Sequence, residues 1–147
     1  MIHLVAVGRL RSPPLAELCR DFTQRAARLG VPLRLEEVQE GRGGEIRSLA
    51  ALVARLRSRG YVVALDERGV VYRSQAFARW LEGRMSAGDL TFVIGGAPGL
   101  PQEILEAADA RLSLSAMTLP HELARLLLLE QLYRAASILR GHPYHRE

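Results

Sequence analysis

Two rhythms of hydrophobic and polar positions run through the chain. Short apolar runs at Ile2–Val7, Leu33–Val38, residues 61–66, Leu90–Ile94 and residues 111–115 each read as a strand. Between them lie longer stretches whose apolar residues fall three and four apart, the spacing of one helix face. The first helix opens at Ser12-Pro13-Pro14, with Ser12 as N-cap and proline in its first turn. Its apolar face is Leu15, Leu18, Cys19, Phe22, Ala26 and Leu29, and Gly30 ends it. A second helix over 45–59 turns Ile46, Leu49, Leu52, Val53 and Leu56 inward and leaves Arg47, Arg55, Arg57 and Arg59 as a solvated face. Ser74 caps a third helix whose core side is Phe77, Trp80, Leu81 and Met85, and a short helix follows over 101–108. The last helix, about 120 to 140, is apolar around most of its circumference, from Leu123, Leu126 and Leu127 to Leu132, Ile138 and Leu139. Such a helix needs partners on more than one side, so a homodimer interface is expected. Residues 141–147 form a polar tail with no core pattern. The alternation of strands and helices predicts one α/β domain over 1–147 with a largely parallel sheet.

Composition narrows the class. A domain of 147 residues buries roughly two thirds of its unfolded surface and needs no disulfide framework. Cys19 is the sole cysteine, so no intrachain disulfide forms and a cytoplasmic setting is the default. The apolar N-terminus is too short for a secretion signal and lacks the basic segment that precedes one. No run approaches the roughly 20 apolar residues of a membrane span, so a soluble protein with no membrane partner is expected. The formal net charge is +4, all 20 basic residues are arginine, and there is no asparagine. A thermophilic source or a GC-rich genome would each account for these biases. Arginine's planar fork suits phosphates and guanine edges, which makes RNA a natural partner for this surface.

Three constellations carry candidate chemistry. The strand Leu90–Ile94 runs into Gly95-Gly96-Ala97-Pro98-Gly99, where missing side chains let backbone approach a ligand beyond the carboxyl end of a strand. The loop fits neither a dinucleotide fingerprint nor a P-loop, and for a glycine pair alone a tight turn requiring positive φ is the favoured reading. The second is Ser115-Ala116-Met117-Thr118-Leu119-Pro120-His121, another strand end that turns into a helix; the hydroxyls of Ser115 or Thr118 suit simple capping. The third is the last helix and tail: His121, with Glu130 and Arg134 further along at i,i+4 spacing to each other, then His142, Tyr144, His145 and Arg146. His142 and His145 straddle a proline and lack further ligands, so no metal site is expected.

The strings Leu4-Val5-Ala6-Val7-Gly8, Ile94-Gly95-Gly96, Leu114 through His121, Leu132-Tyr133-Arg134-Ala135 and the terminal His142-Pro143-Tyr144-His145-Arg146-Glu147 resemble the ribosomal RNA large subunit methyltransferase H family of the SPOUT class. The resemblance spans the whole chain. It implies a parallel-sheet methyltransferase fold with a C-terminal trefoil knot, S-adenosyl-L-methionine as cofactor, and a homodimer in which two chains build each site. It also implies the reaction, methylation of N3 of a pseudouridine in 23S rRNA on the assembled ribosome. Carried over by position, the cofactor residues are Leu65, Gly96, Ser115, Ala116, Met117, Thr118, Leu119 and Pro120. The catalytic candidates are His121, Glu130, Arg134, Tyr144, His145 and Arg146, the last three reaching from the partner chain. The sequence departs from the family in Ala97-Pro98, where some members carry Pro-Glu and hence a loop carboxylate. Methylation of a different RNA, or ribosome binding without catalysis, are the competing readings.

Overall fold

The apolar runs all pair in parallel with one another. In the computed structural model, which describes residues 1–145, five strands form one sheet: β1 (Ile2–Val7), β2 (Leu33–Val38), β3 (Tyr61–Val71), β4 (Leu90–Ile94) and β5 (Ala110–Ser113). Their order across the sheet is β2-β1-β4-β3-β5, and every pairing is parallel. Parallel strands need crossovers, which α1 (Pro13–Arg28), α2 (Leu49–Arg57), α3 (Ser74–Ala87) and α4 (Gln102–Ala107) provide before α5 (His121–Arg140) closes the chain.

Period-two alternation of side chains sends neighbouring residues to opposite faces. Leu4, Ala6, Val63, Phe92, Ile94 and Leu112 face α1, α3 and α5, where they meet Cys19, Ala26, Phe77, Leu81, Leu128 and Leu132. Val5, Val62 and Val93 face the other way, onto Leu52 and Leu56 of α2 and Ile104 of α4. The result is a three-layer α/β/α domain in which β4, central and covered on both faces, is buried throughout. Among the described residues no helix is long and apolar enough to cross a membrane.

The structure redraws several sequence-based boundaries. Strand β3 continues to Val71 rather than stopping at Asp66: after a bulge, Val70 returns to the same β5 residue, Leu112, that Leu65 already faces. Helix α2 begins at Leu49 rather than at 45, because Glu40 and Ile46 form an antiparallel bridge and the Gly41 N–H donates to the Glu45 carbonyl at 2.7 Å. Ser12 caps α1 as expected, through Leu15 N. Ser74 does not cap α3; Arg73 occupies that position and the Ser74 hydroxyl donates to Gln131 Oε1 at 2.8 Å. Leu18 stands 44% exposed, off the apolar face assigned to it. The tail also departs from expectation, since Tyr144 packs against the core with its ring 4.5 Å from that of buried Tyr133.

Helix α5 lies between α1 and α3, which accounts for much of its apolar circumference, although Leu123, Leu126 and Leu127 stay only half-buried. One charged group fixes its position. Arg125 is 3% exposed; its guanidinium donates to Glu37 Oε2 at 2.6 Å and to the Gly8 carbonyl at 3.1 Å, tying α5 to the carboxyl ends of β2 and β1. One turn earlier, Glu122 accepts the backbone N–H groups of Arg11 and Ser12, and these two donors hold its carboxyl below the usual carboxylate range.

Removing one partner of a buried ion pair costs most when it strands the buried charge. Glu37 is 40% exposed and can hydrate alone, whereas Arg125 cannot. Glu37→Leu should therefore lower stability by about 3 kcal/mol, and Arg125→Met, which deletes the buried charge itself, by only about 1–2 kcal/mol. Urea midpoints of the two variants check the order; a less stable Arg125→Met protein would contradict it.

Candidate active site

A cleft of about 480 Å³ opens at the bulge of β3 and the ends of β4 and β5. Ligands of open parallel sheets bind at this edge, because the loops that follow the strands all gather there. Leu65, Gly96, Ser115, Met117, Thr118, Leu119 and His121 line it, so seven of the residues singled out from the sequence share one space. Ala116 and Pro120 belong to the same loop without lining the cleft; Pro120 is the N-cap residue of α5.

The glycine loop is a closed turn. Gly96 and Gly99 pair across it, with the Gly99 N–H donating to the Gly96 carbonyl at 3.0 Å and Gly99 at φ +81°. A Cβ on Gly95 would lie 2.7 Å from the Gly99 carbonyl carbon and 2.9 Å from Leu100 N, both fixed backbone. A Cβ on Gly96 would be tight only against the Glu40 carboxylate at 3.0 Å, a side chain able to shift, with Val7 at ordinary contact distance. The stricter requirement thus falls on Gly95, which the sequence reading did not select over its neighbour; two adjacent glycines carry no signal that separates them.

The second loop spends its side chains on its own shape. Ser113 Oγ donates to the Ser115 carbonyl at 2.9 Å, Ser115 Oγ accepts from Met117 N at 2.9 Å, and Thr118 Oγ1 donates to Glu67 Oε2 at 3.0 Å. Neither hydroxyl caps α5, whose N-terminus has no side-chain cap and carries the helix's partial positive charge to the cleft beside His121. Asp66, Glu67, Arg68 and Arg111 also line the cleft and were not anticipated, because the bulge that places residues 66–69 there has no period to betray it.

The remaining candidates sit elsewhere. Arg134 Nη2 donates to Glu130 Oε2 at 2.8 Å, the Tyr144 hydroxyl donates to that same oxygen at 2.8 Å, and the Arg134 guanidinium lies 5.0 Å from the Tyr144 ring centre. Gln131 Nε2 donates to the other Glu130 oxygen at 2.8 Å and links the group to Ser74. His145 follows, half-buried, its Nδ1 without a hydrogen-bond partner among the described residues; Arg146 lies outside them. His121 and Arg134 share α5 but stand thirteen residues apart, about 20 Å along a straight helix. The two groups of one chain therefore cannot flank a single base. Among the described residues no cluster of potential metal ligands forms.

Burial, then the hydrogen bond to Glu130 and its charge, push the Tyr144 phenol up to about 12. A phenol raised above its unfolded value near 10 adds stability that is complete below pH 10 and is lost as pH climbs towards 12. The difference between wild-type and Tyr144→Phe tyrosinate absorbance should show this residue ionising about two pH units late, and Glu130→Gln should recover part of the shift. Ionisation near pH 10 in the wild type would mean that the tail is not docked in solution.

Comparison with known proteins agrees with this geometry. The family described as "Predicted SPOUT methyltransferase" matches residues 1–145. Ribosomal RNA large subunit methyltransferase H of Gemmatimonas aurantiaca is 47% identical over 153 residues, covering 99% of this chain and 99% of the relative. The proteins of that name from Dinoroseobacter shibae and Paracoccus denitrificans are 47% and 45% identical, over 99% and 98% of this chain and 98% and 97% of the relatives. A solved structure, a probable methylase family protein from Haemophilus influenzae Rd KW20, shares the fold at a TM-score of 0.55 and 13% identity, over 97% of this chain and 67% of that one. The chain therefore belongs to the SPOUT methyltransferases and, within them, to the ribosomal RNA large subunit methyltransferase H family.

Proposed function

We propose that this chain transfers a methyl group from S-adenosyl-L-methionine to N3 of a pseudouridine in 23S rRNA, acting on the assembled ribosome in the cytoplasm as a homodimer with composite sites. The observation that carries the reading is the division of the candidate residues between the two ends of one rigid helix. Each end is half of a site. In a dimer, the cleft of one protomer meets the partner's Glu130, Arg134, Tyr144, His145 and Arg146. Half-buried Leu123, Leu126 and Leu127, with Val70, Val71 and Met117 at 55%, 65% and 76% exposure, supply apolar surface for such an interface. The C-terminal trefoil knot belongs to the same proposal, supported by membership of the SPOUT class.

The cleft suits the cofactor. Its volume falls within the roughly 300–1,000 Å³ of small-molecule sites, and the Gly95–Gly99 turn that lines it keeps its shape only without a Cβ on Gly95, which would strike the loop's own backbone. Leu65 would pack on the adenosine, while Gly96 and the run Ser115, Ala116, Met117, Thr118, Leu119 and Pro120 would hold the rest, chiefly through backbone. When bound, S-adenosyl-L-methionine supplies an electrophilic methyl carried on a sulfonium. The chain's own groups orient the base and favour the charge that appears as the N3 proton leaves from between two carbonyls. His121 and the positive end of α5 stand on one side of the base, and the partner's Arg134, oriented by Glu130, on the other.

Calorimetry should show saturable binding of S-adenosyl-L-methionine, and labelled methyl should appear on one pseudouridine of ribosomes from a strain lacking the protein, mapped by mass. A folded protein that gave no saturable heat would sink the enzyme reading and leave ribosome binding alone. Gly95→Ala should weaken cofactor binding about ten-fold or more, and Gly96→Ala should weaken it less. Homodimers of Gly95→Ala and of Arg134→Met should both be poorly active, yet mixed dimers should regain activity, since one site then combines an intact cleft with an intact Arg134. Failure to recover would place both halves within one chain and overturn the composite arrangement.

A further inference from the structure

We infer that the loops following β1 and β2 form a docking rim for the phosphate backbone of the RNA substrate, with Arg9, Arg42 and Arg47 as its contacts; this rests on the RNA-methylating reading above. The sheet order places these loops beside the cleft. All strands run in parallel, so every loop that follows a strand lies at the same edge, and β2-β1-β4 are consecutive neighbours. At the usual strand spacing, β1 ends about 5 Å and β2 about 10 Å from β4, whose glycine loop lines the cleft.

Glu40 gathers the three loops at one point. Its carboxylate lies within 3.0 Å of the Cβ positions of both Gly8 and Gly96, and its Oε1 is 3.7 Å from the Arg11 guanidinium. Gly44, in the loop after β2, sits against Pro98 of the glycine loop, whose Cδ would be 2.8 Å from an added Cβ. The Glu40–Ile46 bridge and the hydrogen bond from Gly41 N to the Glu45 carbonyl keep the loop after β2 from spreading.

The acidic side chains at this edge are turned to structural work. Glu37 holds Arg125, Glu40 faces Arg11 and the glycines, Glu45 folds back over Gly41 and Gly43, and Glu122 accepts two N–H groups from the loop after β1. Arg9, Arg42 and Arg47 are exposed and make no ion pair among the described residues. Elsewhere the arginines are mixed: Arg55 and Arg59 share Glu36, Arg25 pairs with Asp21 and Arg111 with Asp66, whereas Arg57 and Arg79 stand exposed without an ion pair among the described residues, so position beside the cleft is what sets the rim apart. A rim of unpaired guanidinium groups on braced loops, next to the cleft a target base must enter, fits the contacts that set register on a nucleic acid without reading its sequence.

The test is ribosome binding by the full-length protein, measured by co-sedimentation with unmethylated ribosomes between about 50 and 200 mM salt. For Arg9→Ser/Arg42→Ser/Arg47→Ser, the dissociation constant should rise about ten-fold or more, and the slope of log affinity against log salt should fall by about two to three. S-adenosyl-L-methionine should still bind as in the wild type, which marks an intact fold and cleft. A control, Arg57→Ser/Arg79→Ser, removes exposed arginines of α2 and α3 that make no ion pair among the described residues, and should leave ribosome affinity within about two-fold of wild type. Wild-type affinity and slope in the triple variant would overturn the rim, as would an equal loss in the control, which would mean that overall charge alone acts. Methyl transfer by the wild type, run in parallel, separates the two readings. A protein that methylates ribosomes while its triple variant binds them normally loses only the rim; a wild type that neither binds nor methylates them loses both.

Discussion

The placement of the functional groups depends on one buried guanidinium. Arg125 lies beneath the surface of α5 at the point where the helix passes the ends of β1 and β2, and Glu37 and the Gly8 carbonyl accept its hydrogen bonds there. A buried cation is tolerated only where such partners stand in fixed geometry, so the contact specifies where the helix may lie as much as it stabilises it. Leucine contacts along α5 carry no direction of their own. The Arg125 contact does, and with Glu122 holding the loop after β1 it pins the first turn of the helix, and His121 with it, at the cleft.

From that anchor the rest of α5 follows as a rod. Its far half carries Glu130, which accepts from Arg134, Gln131 and Tyr144 together, so the carboxylate's oxygens are well satisfied inside the protein. Arg134 is thereby held in one orientation rather than left to sample its many rotamers. The αL residue Gly141, at φ +67°, ends the helix and turns the tail back onto Tyr133. Preorganised polar groups at a distance from their own chain's cleft make physical sense when a second chain brings the complementary half.

Much of this was legible in the sequence because it is written in period. Short apolar runs and helices of three-to-four period located all ten elements, and the buried apolar run of β4 marked the strand from which the glycine loop springs. The misreadings have a common cause. Residues 41–46 and 66–69 are shaped by backbone bridges and a bulge, and Ser74 by a partner 57 positions away; none of these leaves a local pattern. Arg125 was invisible for the same reason. On a helix rich in arginine and leucine, nothing distinguishes the one guanidinium that points inward. The tail was misjudged as structurally idle because a single aromatic, Tyr144, does its packing, and one residue has no periodicity. The assignment of roles to His121, Glu130 and Arg134 came from family resemblance, which period alone could not supply.

The same reasoning bears on the substitution of Ala97-Pro98 in the glycine loop. The cleft's loops keep their shape through internal bonds: Gly99 N to the Gly96 carbonyl, Ser113 to the Ser115 carbonyl, Met117 N to Ser115, Thr118 to Glu67. Ser113, Ser115 and Thr118 are thus occupied in building the turns rather than free to meet a ligand. Backbone edges are the same whichever residue stands at 97 or 98, provided the turn closes. Proline suits position 98 because its ring fixes φ within the turn, and its Cδ meets Gly44 of the neighbouring loop, which has no side chain to obstruct it. A carboxylate still stands beside the loop, contributed by Glu40 from the end of β2 rather than by the loop itself. In this chain, then, the charge beside the glycine loop comes from the end of β2, and the loop itself closes through backbone bonds alone.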